Sequence, residues 1–398
     1  MKNLFLFLII SSVLFAGCQS KYRGIPGKYT KLLDSAYVKA GANAETVFSV
    51  LKNVANENKE AAAFLIAYMP ENDLKTLSSE FIADQIEWSG KVRNEFEWCR
   101  NLPDSIYFNE ILPYYNLDEA RDNWRENYYN RFSPYVKGCR NIYEAIDSIN
   151  LNIRDELEVD YNTKRSIVNI SPMQAEKEKM ATCTGLSFLL VNAFRSVGIP
   201  ARIAGTPLWT NMRGNHNWVE VWIDGEWYFT EYYPDALNKS WFLTDAGKAD
   251  PGKPIHWIYA ASYKPADTYF PRVWERGAKD IHAVNVTDRY IRLYQEQLTG
   301  KPLKENELII DVVLYKNPDS DGANNRISEK VTVWQGEKEI DFGFTPSSKD
   351  DLNKYLKFKL EKNTNYRFEF TDAEGNEKSV THTFNDESAN ILKLVQVI

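Results

Sequence analysis

The sequence predicts an α+β chain, and three observations carry that prediction. Helix periodicity dominates up to about residue 150, helix and strand signals mix up to about residue 300, and short β-rich runs fill the remainder. The chain has 398 residues, enough for two or three domains. Its 43% hydrophobic and 26% charged residues are ordinary for globular chains and exclude a wholly disordered or coiled-coil protein. A net charge of −7 argues against a nucleic-acid binder. Four Cys are too few for a disulfide scaffold, and four His leave little room for His-based sites.

In chain order, Lys2 precedes an apolar run from Leu4 to Ala16, too short to span a bilayer and suited to an export signal. Leu14-Phe15-Ala16-Gly17-Cys18 resembles a bacterial lipobox, with Phe15 where Leu is usual. The resemblance implies cleavage after residue 17 and a lipid on Cys18, which anchors the chain without spanning the membrane. Residues 18–30 read as a polar tether, and residues 31–139 as a helical region. Ala61–Tyr68 is a helical run stopped by Pro70, and Asn72-Asp73 offer a cap for the next helix. Leu117–Arg121 and Asn141–Ile146 continue the helical pattern. Residues 140–300 form the predicted core. Beyond residue 305, Leu308–Tyr315, Val331–Trp334, Leu356–Leu360, Tyr366–Phe370, Val380–Phe384 and Ile391–Ile398 are short strands at the spacing of an immunoglobulin-like β-sandwich.

Two segments carry chemistry. Cys183 precedes Leu186, Leu189, Leu190, Ala193, Phe194 and Val197, one face of a helix that Gly198 and Pro200 end. A helix N-terminus favours a thiolate there, and its free N–H groups suit an oxyanion. Downstream, His216–Ile223 reads as a strand, Asp224-Gly225 as a two-residue turn, and Glu226–Glu231 as the returning strand. That turn pairs Ile223 with Glu226, Trp222 with Trp227 and Glu220 with Phe229. It puts Glu231 diagonal to His216 on the face that also holds Trp218, Glu220 and Trp222. Val219, Val221 and Ile223 take the other face, expected to be the core. Asp235 is the alternative acid, although Pro234 interrupts the strand before it. Cys, His and an acid are the parts of a thiol acyl-transfer triad.

These residues resemble a family. Cys183-Thr184-Gly185-Leu186-Ser187, Phe194-Arg195-Ser196-Val197-Gly198-Ile199-Pro200-Ala201-Arg202, His216-Asn217-Trp218-Val219-Glu220-Val221-Trp222 and Gly225-Glu226-Trp227 look like the transglutaminase-like core. The resemblance implies a papain-like fold, Cys183 as nucleophile, His216 as base, and Glu231 where the family usually has Asp. Gln174 is a candidate second oxyanion donor. Trp209 and Trp218 are candidates for lining a substrate groove, and Glu220 with Trp218 and Trp222 for an amine pocket.

The expected function is therefore a thiol enzyme that opens peptide-like amide bonds through a Cys thioester, as a cysteine peptidase or amidase, with hydrolysis favoured. The alternatives are a protein cross-linking glutamine γ-glutamyltransferase and an inactive binding or scaffold lipoprotein of the cell envelope. The expected partners are a peptide or protein substrate and a membrane, reached through Cys18. No cofactor and no metal is expected: Cys99 and Cys139 are far apart, and His256, His282 and His382 lack ligand spacing.

Overall fold

The computed structural model describes residues 22–233, 236–298, 303–318, 322–372, 374–385 and 391–396. The export signal, Cys18 and Asp235 lie outside the described residues. Among the described residues no helix is long and apolar enough to cross a membrane. The chain divides into two compact units, Met1–Ile86 and Glu87–Ile398.

In the first unit, α1 (Thr30–Ala40), α2 (Ala44–Asn53), α3 (Lys59–Ala67) and α4 (Glu71–Thr76) bury Leu33, Val47, Leu51, Ala62, Leu65, Ile66 and Leu74 among themselves. Pro70, not Asn72 or Asp73, occupies the N-cap of α4. Its fixed φ suits that entry, which draws Asn72 and Asp73 into the helix itself. A longer helix, α5 (Ser79–Glu95), follows.

The second unit opens with α6 (Glu97–Arg100), α7 (Asp104–Ile106) and α8 (Arg125–Val136). Leu117–Arg121 is not helical. The buried Glu119 carboxylate accepts the backbone N–H groups of Asn116 (2.6 Å) and Leu117 (2.8 Å), which turns the chain there. α9 (Ile142–Leu157) is capped by Asn141, whose side chain accepts from the Glu144 N–H at 2.9 Å. Next come β1 (Asp160–Tyr161), α10 (Pro172–Glu178), β2 (Met180–Ala181), α11 (Cys183–Ser196), buried from Thr184 onward, β3 (Ala201–Thr206), β4 (His216–Ile223), β5 (Glu226–Thr230), α12 (Leu243–Ala246), β6 (Tyr259–Ser262), β7 (Thr268–Tyr269), β8 (His282–Asn285) and α13 (Thr287–Leu298). β3 to β8 form one sheet in the order β5-β4-β3-β6-β8-β7, with α11 against β3 and β4.

The β4–β5 register is the expected one: Ile223 with Glu226, Trp222 with Trp227, Glu220 with Phe229. Asp224 (φ 49°) and Gly225 (φ 100°) both take positive φ, as a type I′ turn requires. The expected faces need correction, because β4 is buried on both sides. α11 covers one, and Asn217 donates to Thr184 Oγ1 at 2.7 Å. Phe242 and Tyr290, from the chain leading into α12 and from α13, pack on Trp218 on the other.

The last third forms β9 (Glu307–Tyr315), β10 (Lys330–Gln335), β11 (Lys338–Phe344), β12 (Leu356–Glu361), β13 (Asn365–Thr371), β14 (Glu377–Thr383) and β15 (Ile391–Val395). Two sheets, β11-β10-β13-β14 and β12-β9-β15, share one core that joins Val333 and Phe368 to Ile310, Val312, Phe358 and Leu394. β11 escaped the sequence reading because it is an edge strand with Phe342 and Phe344 exposed, so it lacks a buried alternation.

Candidate active site

α11 begins at Cys183, after Thr182 in extended conformation, whose side chain makes no cap hydrogen bond. The first-turn N–H groups are therefore not capped by Thr182. The helix start is seated by Gly185: a Cβ there would stand 2.8 Å from Ile170 Cγ2 and 2.9 Å from Ala181 Cβ. Across the sheet, Gly205 of β3 lies against Asn217, and a Cβ at Gly205 would overlap the Asn217 amide. These two close approaches fix the start of β4, and with it His216, beside the start of α11.

His216 is 2% exposed. Its Nε2 meets Glu231 Oε1 at 2.7 Å, and the other Glu231 oxygen accepts the Ser240 hydroxyl. Its Nδ1 faces Asp351 Oδ2 at 3.4 Å. Donor atoms of Cys183, His216 and Asp351 all lie within 4.8 Å of one another. Burial alone would favour the neutral ring. The Asp351 charge, with the contacts to Asp351, Cys183 and Glu231, outweighs burial and raises the His216 pKa well above the ordinary range. In return, burial disfavours the Asp351 carboxylate, but the His216 charge and the Asn353 N–H keep its pKa below the usual carboxylate value.

Asp351 comes from the segment between β11 and β12, and the sequence reading did not consider it. Arg326, 2% exposed, donates to the carbonyls of Asp351 (3.0 Å), Leu352 (2.6 Å) and Lys354 (3.1 Å). On the core side, Tyr233 donates to Lys349 O (3.0 Å), Asn353 to Asn215 O (2.8 Å), and Lys349 pairs with Asp160 (2.6 Å). Two openings reach Cys183, and Tyr161 and Asp351 line both. One adds His216, Glu231 and Trp241, the other Arg165, Asn215 and Trp274. A separate cavity bounded by Trp98, Tyr129 and Trp222 includes neither Cys183 nor His216.

The structure thus brings Cys183, His216 and Glu231 together, whereas Gln174, Trp209, Trp218 and Glu220 line neither opening. Gln174 donates to Glu178 at 2.6 Å and lines neither opening. Trp209 and Trp218 do not form a groove. They stack in the core, 6.1 Å apart and 2% and 0% exposed, because Phe242 and Tyr290 cover that face. Trp241 lines the opening instead, its ring 4.8 Å from that of His216. Glu220 is no amine pocket either: it is fully buried, 2.8 Å from Arg202, accepts from Tyr290 at 2.8 Å and also pairs with Arg289.

Residues 130–232 match the model of the transglutaminase-like superfamily. This segment is a transglutaminase-like domain. It contains Cys183, His216 and Glu231, whereas Asp351 lies outside it. Among solved structures, the chain is similar to a Cytophaga hutchinsonii protein provisionally assigned as a cysteine protease, at 17% identity and a TM-score of 0.28 over 48% of this chain and 68% of that one. It is similar to red sea bream transglutaminase at 10% identity and a TM-score of 0.33, over 73% of this chain and 66% of that one. It is also similar to a TGase at 12% identity and a TM-score of 0.22, over 38% of each chain. No curated protein matches the chain. The Cys183-His216-Asp351 cluster, together with the match to the transglutaminase-like superfamily, supports a cysteine enzyme.

Proposed function

We propose that the chain is a cysteine peptidase or amidase that opens peptide-like amide bonds through a thioester on Cys183. The observation that carries this reading is the His216 ring, held at Nε2 by Glu231 (2.7 Å) with its other nitrogen turned toward the thiol at the start of α11. The Cys183 thiol passes its proton to His216 as Sγ attacks the carbonyl carbon, and the first-turn N–H groups of α11 receive the oxyanion. The C–N bond breaks, and the leaving amine takes a proton from His216. Water then attacks the thioester, His216 takes its proton, the C–S bond breaks, and a carboxylate product leaves. Glu231 keeps the ring oriented and does not itself exchange protons.

We favour hydrolysis over transfer because the amine pocket read from the sequence is not formed: its acid, Glu220, is spent on Arg202 and Arg289. In this proposal the lipid at Cys18 holds the enzyme at the cell envelope, where peptide substrates are at hand. The test is a peptide library incubated with the purified chain, with and without a primary amine, followed by mass spectrometry. Free carboxylate products without amine support the reading. Products found only as amine adducts replace it with cross-linking. Neither product, with no acyl-enzyme on Cys183, leaves a binding lipoprotein.

A further inference from the structure

We propose that Cys183, His216 and Asp351 together bind a divalent transition metal, with zinc as the fitting ion. The proposal concerns the donor set, and it holds or fails whether or not the chain turns over amides. A thiolate, an imidazole nitrogen and a carboxylate oxygen are donors zinc takes, at about 2.3 Å for sulfur and about 2.0–2.2 Å for nitrogen and oxygen. Nδ1 and Oδ2 already stand 3.4 Å apart. Two ligands on a tetrahedral ion with those bond lengths are separated by about the same distance. Sγ, within 4.8 Å of both, closes the third side by rotation about one bond.

Two further observations point to a cation. First, His216 Nδ1 and Asp351 Oδ2 are buried and face each other at 3.4 Å without hydrogen-bond geometry, although their residues are only 2% and 7% exposed. One ion placed between them would bond both at once, displacing the proton from Nδ1. Second, the remaining polar atoms of both side chains are already held. His216 Nε2 is on Glu231 at 2.7 Å, and Asp351 Oδ1 accepts the Asn353 N–H at 2.8 Å. A metal-binding His ordinarily gives its second nitrogen to a carboxylate, which fixes the ring and leaves the first nitrogen for the ion. A thiolate and a carboxylate bring two negative charges against the ion's two positive ones. Three protein donors leave a fourth position facing the openings, where water completes the tetrahedron. Metal on Cys183 occupies the sulfur lone pair and so caps the thiol. The third ligand comes from outside the transglutaminase-like domain, which alone lacks it.

The test uses the full chain, oxygen-free and with a non-thiol reductant, titrated with Co²⁺ as a spectroscopic stand-in for zinc. The expected result is a near-ultraviolet thiolate-to-cobalt band that saturates at one metal per chain and is displaced by Zn²⁺. Cys183→Ala should abolish the band. Asp351→Asn should weaken binding by at least about tenfold, the lower end of what loss of even a ligand-supporting group costs. Asp351→His, which restores a donor, should recover it, with circular dichroism confirming that both variants fold. Iodoacetamide labelling of Cys183 should slow when Zn²⁺ is added. The proposal is overturned if no band forms, if the band survives Cys183→Ala, or if Asp351→Asn binds as tightly as the wild type. A chain that binds metal but opens no amide would sink the peptidase reading alone.

Discussion

Both oxygens of Glu231 are committed, one to His216 and one to Ser240. Glu231→Gln keeps the volume but turns one of those acceptors into a donor, so the ring loses its orientation or its tautomer. We expect the turnover number to fall by ~10²–10⁴, the range over which an orienting acid matters in a serine triad, with little change in KM. Steady-state kinetics on an amide substrate measures this. A harmless Glu231→Gln beside a crippled Asp351→Asn would move the orienting role to the Nδ1 side of the ring. The thiols offer a second check. Burial pushes Cys99 up to about 12 and also raises Cys139, so peptide mapping after iodoacetamide treatment at mildly acidic pH should find Cys183 alkylated first. Loss of Glu220 should cost stability. Glu220→Gln leaves the buried Arg202 and the half-buried Arg289 without their shared carboxylate, and we expect urea unfolding to register a loss of about 3–5 kcal/mol.

At the scale of elements, the start of α11 is set by how closely it approaches the chain before it. Gly185→Ala adds a methyl within 3 Å of both Ile170 and Ala181. Alanine favours a helix by about 1 kcal/mol over glycine, but overpacking costs about 1–3 kcal/mol, so the thermal midpoint should drop and Cys183 alkylation should slow together. An unchanged alkylation rate would mean that the helix start does not depend on this contact. α11 itself was legible in the sequence because its signals are local: a run of apolar positions on one face and a Gly-Pro stop. So was the β4–β5 register, since Asp224-Gly225 permits only the turn that sets it. The inward side of Trp209, Trp218 and Glu220 was not legible. It depends on Phe242 and Tyr290, which arrive from far along the chain and turn a half-buried strand into a fully buried one. Leu117–Arg121 misled for the opposite reason, because one buried carboxylate overrides a helical composition.

At the scale of the second unit, the β-rich region takes part in the site, and nothing in the local sequence around residue 351 announces it. Asp351 reaches His216 only because two sets of ties hold residues 349–354 in place. Arg213 and Lys357 join the regions further, through Asp245 and Asp311. The ties on the segment differ in strength. The Arg326 guanidinium is buried and serves three carbonyls, and its central carbon lies 5.0 Å from the centre of the Tyr355 ring. Hydrogen bonds from a charged group are worth about 1.5–3 kcal/mol each, and of the carbonyls left behind in Arg326→Ala that of Asp351 is buried and those of Leu352 and Lys354 are half-buried. Lys349 is 59% exposed, and a surface pair such as Lys349–Asp160 is worth at most about 1 kcal/mol. Arg326→Ala should therefore speed amide hydrogen exchange across residues 350–354 while α11 keeps its protection, whereas Lys349→Ala should leave both near wild type. Turnover should change with Arg326→Ala and not with Lys349→Ala, because only the first releases Asp351 from His216. Equal loosening by the two substitutions would mean that the segment is held from its exposed side, and that Asp351 meets His216 without the β-rich region's help.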